Sequence, residues 1–176
     1  MFNQVEGLEH GADAYICKPF NVDYLLLTIK NLFISRDRLR QYFTAPQTQG
    51  IIPIPVMNQY DEKFMTRLTH LLDRNLSNPD FNIDSMASDL AYSRTGFYRK
   101  IKGLTDLSPV DFLTNYRLKR AAEMIMENNQ TLTDIAEQTG FSSYSYFSKC
   151  FRKHFGVMPK EYNELRALKS ELRKKS

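Results

Sequence analysis

Two short stretches of the chain place hydrogen-bonding side chains beside cations on what would be one face of a helix. Residues 93–102 (SRTGFYRKIK) hold four Lys/Arg and no acid, and residues 143–155 (SYSYFSKCFRKHF) hold three and no acid. In each, apolar side chains four apart, Phe97 with Ile101 and Phe147 with Phe151, mark the buried side. The outward set is then Arg94, Thr95, Tyr98, Arg99 and Lys102 in the first stretch. In the second it is Tyr144, Ser145, Ser148, Lys149 and Arg152. Such a surface suits a polyanion: cations offset phosphate repulsion, while Arg, Tyr and Ser can reach the edges of bases. One basic amphipathic helix is more often a solvated face. Two of them, each behind the same short helix, favour nucleic acid.

Other chemistries find no support in the residues. His10, His70 and His154 are scattered without an HExxH or Cys/His spacing, so no metal is expected. Cys17 and Cys150 stand far apart, neither in a CxxC pair, and are expected to be reduced thiols. No GxxxxGK[ST], GxGxxG or GxSxG occurs, which argues against an enzyme and against a nucleotide cofactor. Ser142 and Ser143 read as helix caps rather than base contacts.

The elements that must position the two stretches repeat. With an offset of 50, Ser93 pairs with Ser143, Phe97 with Phe147, Arg99 with Lys149, Ile101 with Phe151 and Lys102 with Arg152. Pro109 likewise pairs with Pro159 and Phe112 with Tyr162. Upstream the offset becomes 49, pairing Met86-Ala87 with Ile135-Ala136 and Ala91 with Gly140. Each copy is a short helix with a small inward residue, a tight turn and a longer basic helix, the pattern of a helix-turn-helix. Helices are expected at about 60–76, 84–91, 94–103, 109–128, 133–139, 143–155 and 159–173, giving an all-α, seven-helix domain with two helix-turn-helix units joined by a long linker helix. Ser108-Pro109-Val110-Asp111 sets a cap, an N1 proline and an N3 acid in order at the start of that linker helix.

Upstream, residues 44–58 (TAPQTQGIIPIPVMN) hold three prolines and a glycine with no sustained period, and read as a linker. Gly11 to Phe20 reads as a turn, a short buried strand and a proline-bounded loop, followed by a helix from Val22 to Phe33. The charge is uneven. Residues 1–82 carry 8 Lys/Arg against 9 Asp/Glu, and residues 83–176 carry 16 against 11, so the excess of positive charge lies entirely in the second part. With 42% hydrophobic and 25% charged residues, no apolar run long enough to cross a bilayer and no secretory signal, a cytoplasmic location without membrane contact is expected.

SRTGFYRKI at 93–101, RLKRAA at 117–122, IAEQTGF at 135–141 and YFSKCFRKHFGVMPKEY at 146–162 together resemble the DNA-binding domain of the AraC/XylS family of regulators. The resemblance covers about residues 60–163. It implies that the second helices of the two units enter successive major grooves of double-stranded DNA, about one helical turn or roughly 10 base pairs apart. By position, Thr95, Tyr98 and Arg99 would contact bases in one segment and Tyr144, Ser145 and Lys149 in the other, with Arg94, Lys102 and Arg152 on phosphate. Residues 11–33, with Gly-Ala-Asp-Ala-Tyr and Lys18-Pro19-Phe20, resemble the end of a response-regulator receiver domain; there Lys18 would face a phosphoaspartate and Tyr15 a switching position, although the acidic start of that domain is absent. The domains are then a receiver remnant at 1–43, a linker at 44–58 and the AraC-type domain at 59–176. The combined resemblance implies a two-component transcription regulator, an activator, with RNA polymerase as partner and homodimerisation through the upstream receiver. The competing reading is a basic helical module that binds an acidic protein or a membrane surface.

Overall fold

The computed structural model describes residue 16, residues 18–19, 21–44, 59–127 and 130–162, and residue 164. Among them are α1 (Val22–Thr44), α2 (Gln59–Arg74), α3 (Ile83–Asp89), α4 (Arg94–Thr105), α5 (Pro109–Glu127), α6 (Leu132–Gln138) and α7 (Tyr144–Phe155). A further helix opens at Pro159, as its proline foretells. No described residue is in a strand, and no helix among them is long and apolar enough to cross a membrane. The all-α class and the helix positions agree with the sequence reading. The expected strand near Cys17, the linker after Thr44 and the helix beyond residue 164 lie outside the described residues. Tyr15 lies outside them as well.

Local sequence sets most of the boundaries. Asn82 Oδ1 accepts from the Asp84 and Ser85 amides at 3.0 and 3.2 Å and starts α3. Ser93 Oγ accepts from Gly96 N at 3.1 Å at α4, and Ser143 Oγ from Tyr146 N at 3.3 Å at α7. Thr131 and Asp134 form a reciprocal capping box at α6. Ser108 caps α5 ahead of Pro109, its Oγ accepting from Asp111 N at 3.1 Å. Both basic helices end in a left-handed residue, Asp106 (φ 60°) and Gly156 (φ 79°), whose amides donate to the carbonyls of Lys102 and Arg152. The difference from the sequence reading is α1, which runs to Thr44 rather than stopping near Phe33. Good helix formers follow Phe33, and Leu39 is buried in a helix that packs against α4.

The chain divides into two compact units, the boundary falling within α5 after Phe112. The first holds α1, α2 to Asp73, α3 and α4, with Leu68, Leu72, Met86, Phe97 and Ile101 almost fully buried. The second holds residues 74–81, α5 from Leu113, α6 and α7. Its core joins Leu118, Ala121, Ala122 and Ile125 of α5 to Ile135 and Ala136 of α6 and to Phe141, Phe147 and Phe151. Phe147 and Phe151 meet edge to face with centroids 5.5 Å apart, and Tyr162 closes on Phe151 at 5.4 Å. Each such pair is worth about 0.5–1.5 kcal/mol beyond its burial.

Gly140 is where the second unit tolerates no side chain. Its φ is +73°, and a Cβ there would lie 2.5 Å from the Leu76 carbonyl oxygen and 2.9 Å from the Arg117 guanidinium, whose Nη2 donates to Asn78 O at 2.6 Å. Gly156 has the same backbone hand but open space around its Cα. Gly156→Ala should therefore lose about 1–2 kcal/mol, the cost of the left-handed conformation alone. Gly140→Ala should lose clearly more, because backbone must also move. Urea unfolding of the two variants provides the comparison, and equal losses would contradict the close approach at Leu76.

Candidate nucleic-acid interface

The two copies close their turns in the same way. In the first, Ala91 takes φ 61° and the Tyr92 amide donates to Ala87 O at 2.8 Å. In the second, Gly140 takes φ 73° and the Phe141 amide donates to Ala136 O at 2.9 Å. The small side chains Ala87 and Ala136, both buried, let the following helix approach. Beyond the turn, α3 packs against α4 and α6 against α7.

On α4, Thr95, Arg99 and Lys102 are exposed, and their spacing of four and three residues puts them on one stripe. On α7, Ser145, Lys149 and Arg152 are exposed at the same spacing, each 50 residues on from its counterpart. Tyr98 and Tyr144 flank these stripes, 48% and 37% exposed. All six candidates for base contact are thus on the open faces of α4 and α7. Tyr146, 53% exposed, joins them on α7 although its type and place in the motif had not singled it out. Its phenol is held above the usual range, first by a hydrogen bond to the Cys150 side chain.

Ser148 and Lys100 are enclosed, and the exposed Arg94 and Lys102 have partners within the chain. Ser148 was expected to face outward; it is buried, with Oγ 4.0 Å from Met158 Sδ. The repeat explains this, since its counterpart Tyr98 is too large to be enclosed at the same place while a serine closes against the core. Lys100, counted among the basic residues of α4, is 8% exposed and pairs with Asp61 of α2, Nζ to Oδ1 2.5 Å, with the Phe64 ring 5.9 Å away. It anchors α4 and is not offered to a partner. Arg94 forks both contacts of one guanidinium nitrogen onto Asp84 at 2.8 Å, tying the start of α4 to α3 at the surface. Lys102 is exposed, and its Nζ reaches the Asp106 carbonyl at 2.5 Å.

A family model described as a helix-turn-helix domain matches residues 86–165. The C-terminal domain of AraT, a response regulator from Geobacillus stearothermophilus, is 31% identical and superposes with a TM-score of 0.53, covering 57% of this chain and 84% of that one. A transcriptional regulator from Chromobacterium violaceum, described as AraC-type, is 26% identical with a TM-score of 0.56, over 62% of this chain and 97% of that one. Residues 86–165 form an AraC-type helix-turn-helix domain. A protein named histidine kinase P4 from Formosa agariphila is 39% identical over 158 residues, 89% of this chain and 11% of that protein. The chain spans less than half the length of the curated relatives it matches.

The exposed stripe of α7 in this AraC-type domain runs toward an electrostatically unusual end. His154 in the last turn is pushed down to about 4, first by burial and then by the charge of Lys119. Lys119 of α5 is itself pushed down to about 8 by burial, with Glu123 opposing. In the unfolded chain His154 would take up its proton near 6.5, so the unfolded state binds more protons as the pH falls below that value, and stability drops between pH 6.5 and 4. His154→Gln should flatten that limb in melts recorded across the window; an unchanged slope would show that other groups set it.

The buried pair yields the second expectation. Lys100→Met leaves the Asp61 carboxylate enclosed without its cation and should cost about 3–5 kcal/mol. Pairing it with Asp61→Leu should restore most of that loss, because two apolar groups need no compensation. Urea unfolding of both variants checks this, and a double variant as unstable as the single one would contradict it.

Proposed function

We propose that the chain is the output segment of a two-component signalling protein, a sequence-specific double-stranded DNA-binding transcription regulator that acts as an activator. The observation that carries this is the duplicated stripe: Thr95, Arg99 and Lys102 on α4, and Ser145, Lys149 and Arg152 on α7, exposed at identical spacing behind identically closed turns. A helix with short polar groups and cations on its open side fits the major groove, where donors meet base edges and cations meet phosphate. Thr95, Tyr98 and Arg99 would contact bases in one segment, and Tyr144, Ser145 and Lys149 in the other. Lys102 and Arg152, later on their helices, would contact phosphate. Arg94 would do so with its charge partly offset by Asp84.

The two-component link is supported by the Lys18-Pro19-Phe20 and Gly-Ala-Asp-Ala-Tyr segments, by the description of AraT as a response regulator and by the histidine kinase that matches most of this chain. The exposed apolar side chains of α1, among them Val22, Leu26, Ile29 and Phe33, fit a helix that ends a receiver. On this reading residues 1–43 are the receiver segment, 44–58 the linker and 59–176 the DNA-reading domain. Dimerisation through the receiver and contact with RNA polymerase accompany it.

Arg99 can form a bidentate pair with guanine, so Arg99→Ala should cost about 1–3 kcal/mol on a preferred duplex and relax choice within one segment only. Lys149→Ala should act on the other segment. Lys102→Ala and Arg152→Ala should weaken all duplexes alike and reduce the salt slope by about one unit each, Arg94→Ala by less. Footprinting and site selection with these variants separate the roles. If Arg99→Ala weakened random and preferred duplexes equally, the first unit would be a phosphate anchor and not a reader.

A further inference from the structure

In its last turns α1 reaches the C-terminal end of α4. Its Leu39 is buried, α1 packs along α4, and the next residue, Arg40, lies 3.4 Å from Asp106 Oδ2. The other oxygen of the same carboxylate, Asp106 Oδ1, lies 3.2 Å from Lys102 Nζ. One carboxylate therefore sits between two cations, one from each helix. All three side chains are open to solvent, at 58%, 57% and 48% for Arg40, Asp106 and Lys102. Residues 36–40 bring further positive charge to this end of α1, with three arginines against Asp37 alone. Two cations held on the two oxygens of an exposed carboxylate are spaced to receive the two oxygens of a phosphate in its place.

We propose that this junction is a phosphate-contact point for duplex DNA that extends the first helix-turn-helix onto α1, with Arg40 as a contact and Asp106 as an internal competitor that a backbone phosphate displaces. The proposal rests on the DNA-binding reading and on the phosphate role of Lys102. It adds a residue from outside the helix-turn-helix, and a carboxylate whose negative charge lowers affinity in the free-standing chain. Contacts of this kind carry no sequence information, so they set affinity and salt dependence and leave base choice unaltered.

The test is binding of the whole chain to a random duplex and to a selected duplex, titrated from 50 to 200 mM salt. Arg40→Ala should reduce the slope of log K against log salt by about 0.9, the value for one lost phosphate. Arg40→Lys should restore it. Lys30→Ala, a lost cation at an exposed site near the middle of the same helix, should leave the slope as it is. Asp106→Asn keeps a residue type at ease in the left-handed conformation and should bind both duplexes several-fold more tightly at low salt, with the ratio between them unchanged. An unaltered slope in Arg40→Ala, or Asp106→Asn binding no better than the parent, would overturn the junction as a phosphate site while the DNA-binding reading stood. Loss of affinity in Arg40→Ala that Arg40→Lys does not restore would make Arg40 a packing residue and overturn it likewise. A parent chain with no salt-dependent binding to any duplex would instead remove the reading on which the proposal rests.

Discussion

The architecture depends on one backbone constraint used twice. A residue in the left-handed region turns the chain so that the next amide donates to the carbonyl five positions back, from Tyr92 to Ala87 and from Phe141 to Ala136. That bond fixes the angle at which α4 leaves α3 and α7 leaves α6, and so decides which side chains of the longer helix are enclosed and which are presented. The inward alanines make the approach possible, and Ser93 and Ser143 then cap the helices that follow. The open stripes are a consequence of this geometry more than of any single residue on them.

The two copies hold their presented helices by different chemistry. In the first, Lys100 of α4 is drawn inward onto Asp61 of α2. In the second, the residue 50 positions on is Cys150, half-buried beside an aromatic core of Phe141, Phe147, Phe151, Phe155 and Tyr162. A buried ion pair offers little net stability but is costly to break on one side, so it favours one placement of α4 over others. The aromatic core of the second unit is held by area and ring contacts instead. The two stripes are alike although their supports are not.

Much of this was legible in the sequence, because the signals were local. Caps, the proline at 109, the glycine at 140 and phenylalanines four apart all act within a few residues of where they stand. The stripes followed from the same period, and the motifs carried the family. What could not be read depended on partners distant in sequence or on size. Lys100 occupies an apolar stripe with Phe97, Ile101 and Leu104, a signal of burial that its charge obscured until Asp61 was seen opposite. Ser148 stands in the matching stripe with Phe147 and Phe151, and its smallness decided its burial. The surface pair of Arg94 with Asp84, and the packing of α1 on α4 that brings Arg40 to Asp106, join residues separated by a turn or by a long stretch of chain with no periodic trace.

The central claim is that this surface reads bases as well as holding phosphate. The most direct measurement is to select duplexes from a random pool with the chain, then to compare the affinity of the selected duplex with that of scrambled duplexes of the same length and composition at physiological salt. A base-reading double helix-turn-helix should prefer the selected duplex by about a thousandfold or more. Equal affinity for all of them, falling together as salt rises, would contradict the account and leave only a basic surface.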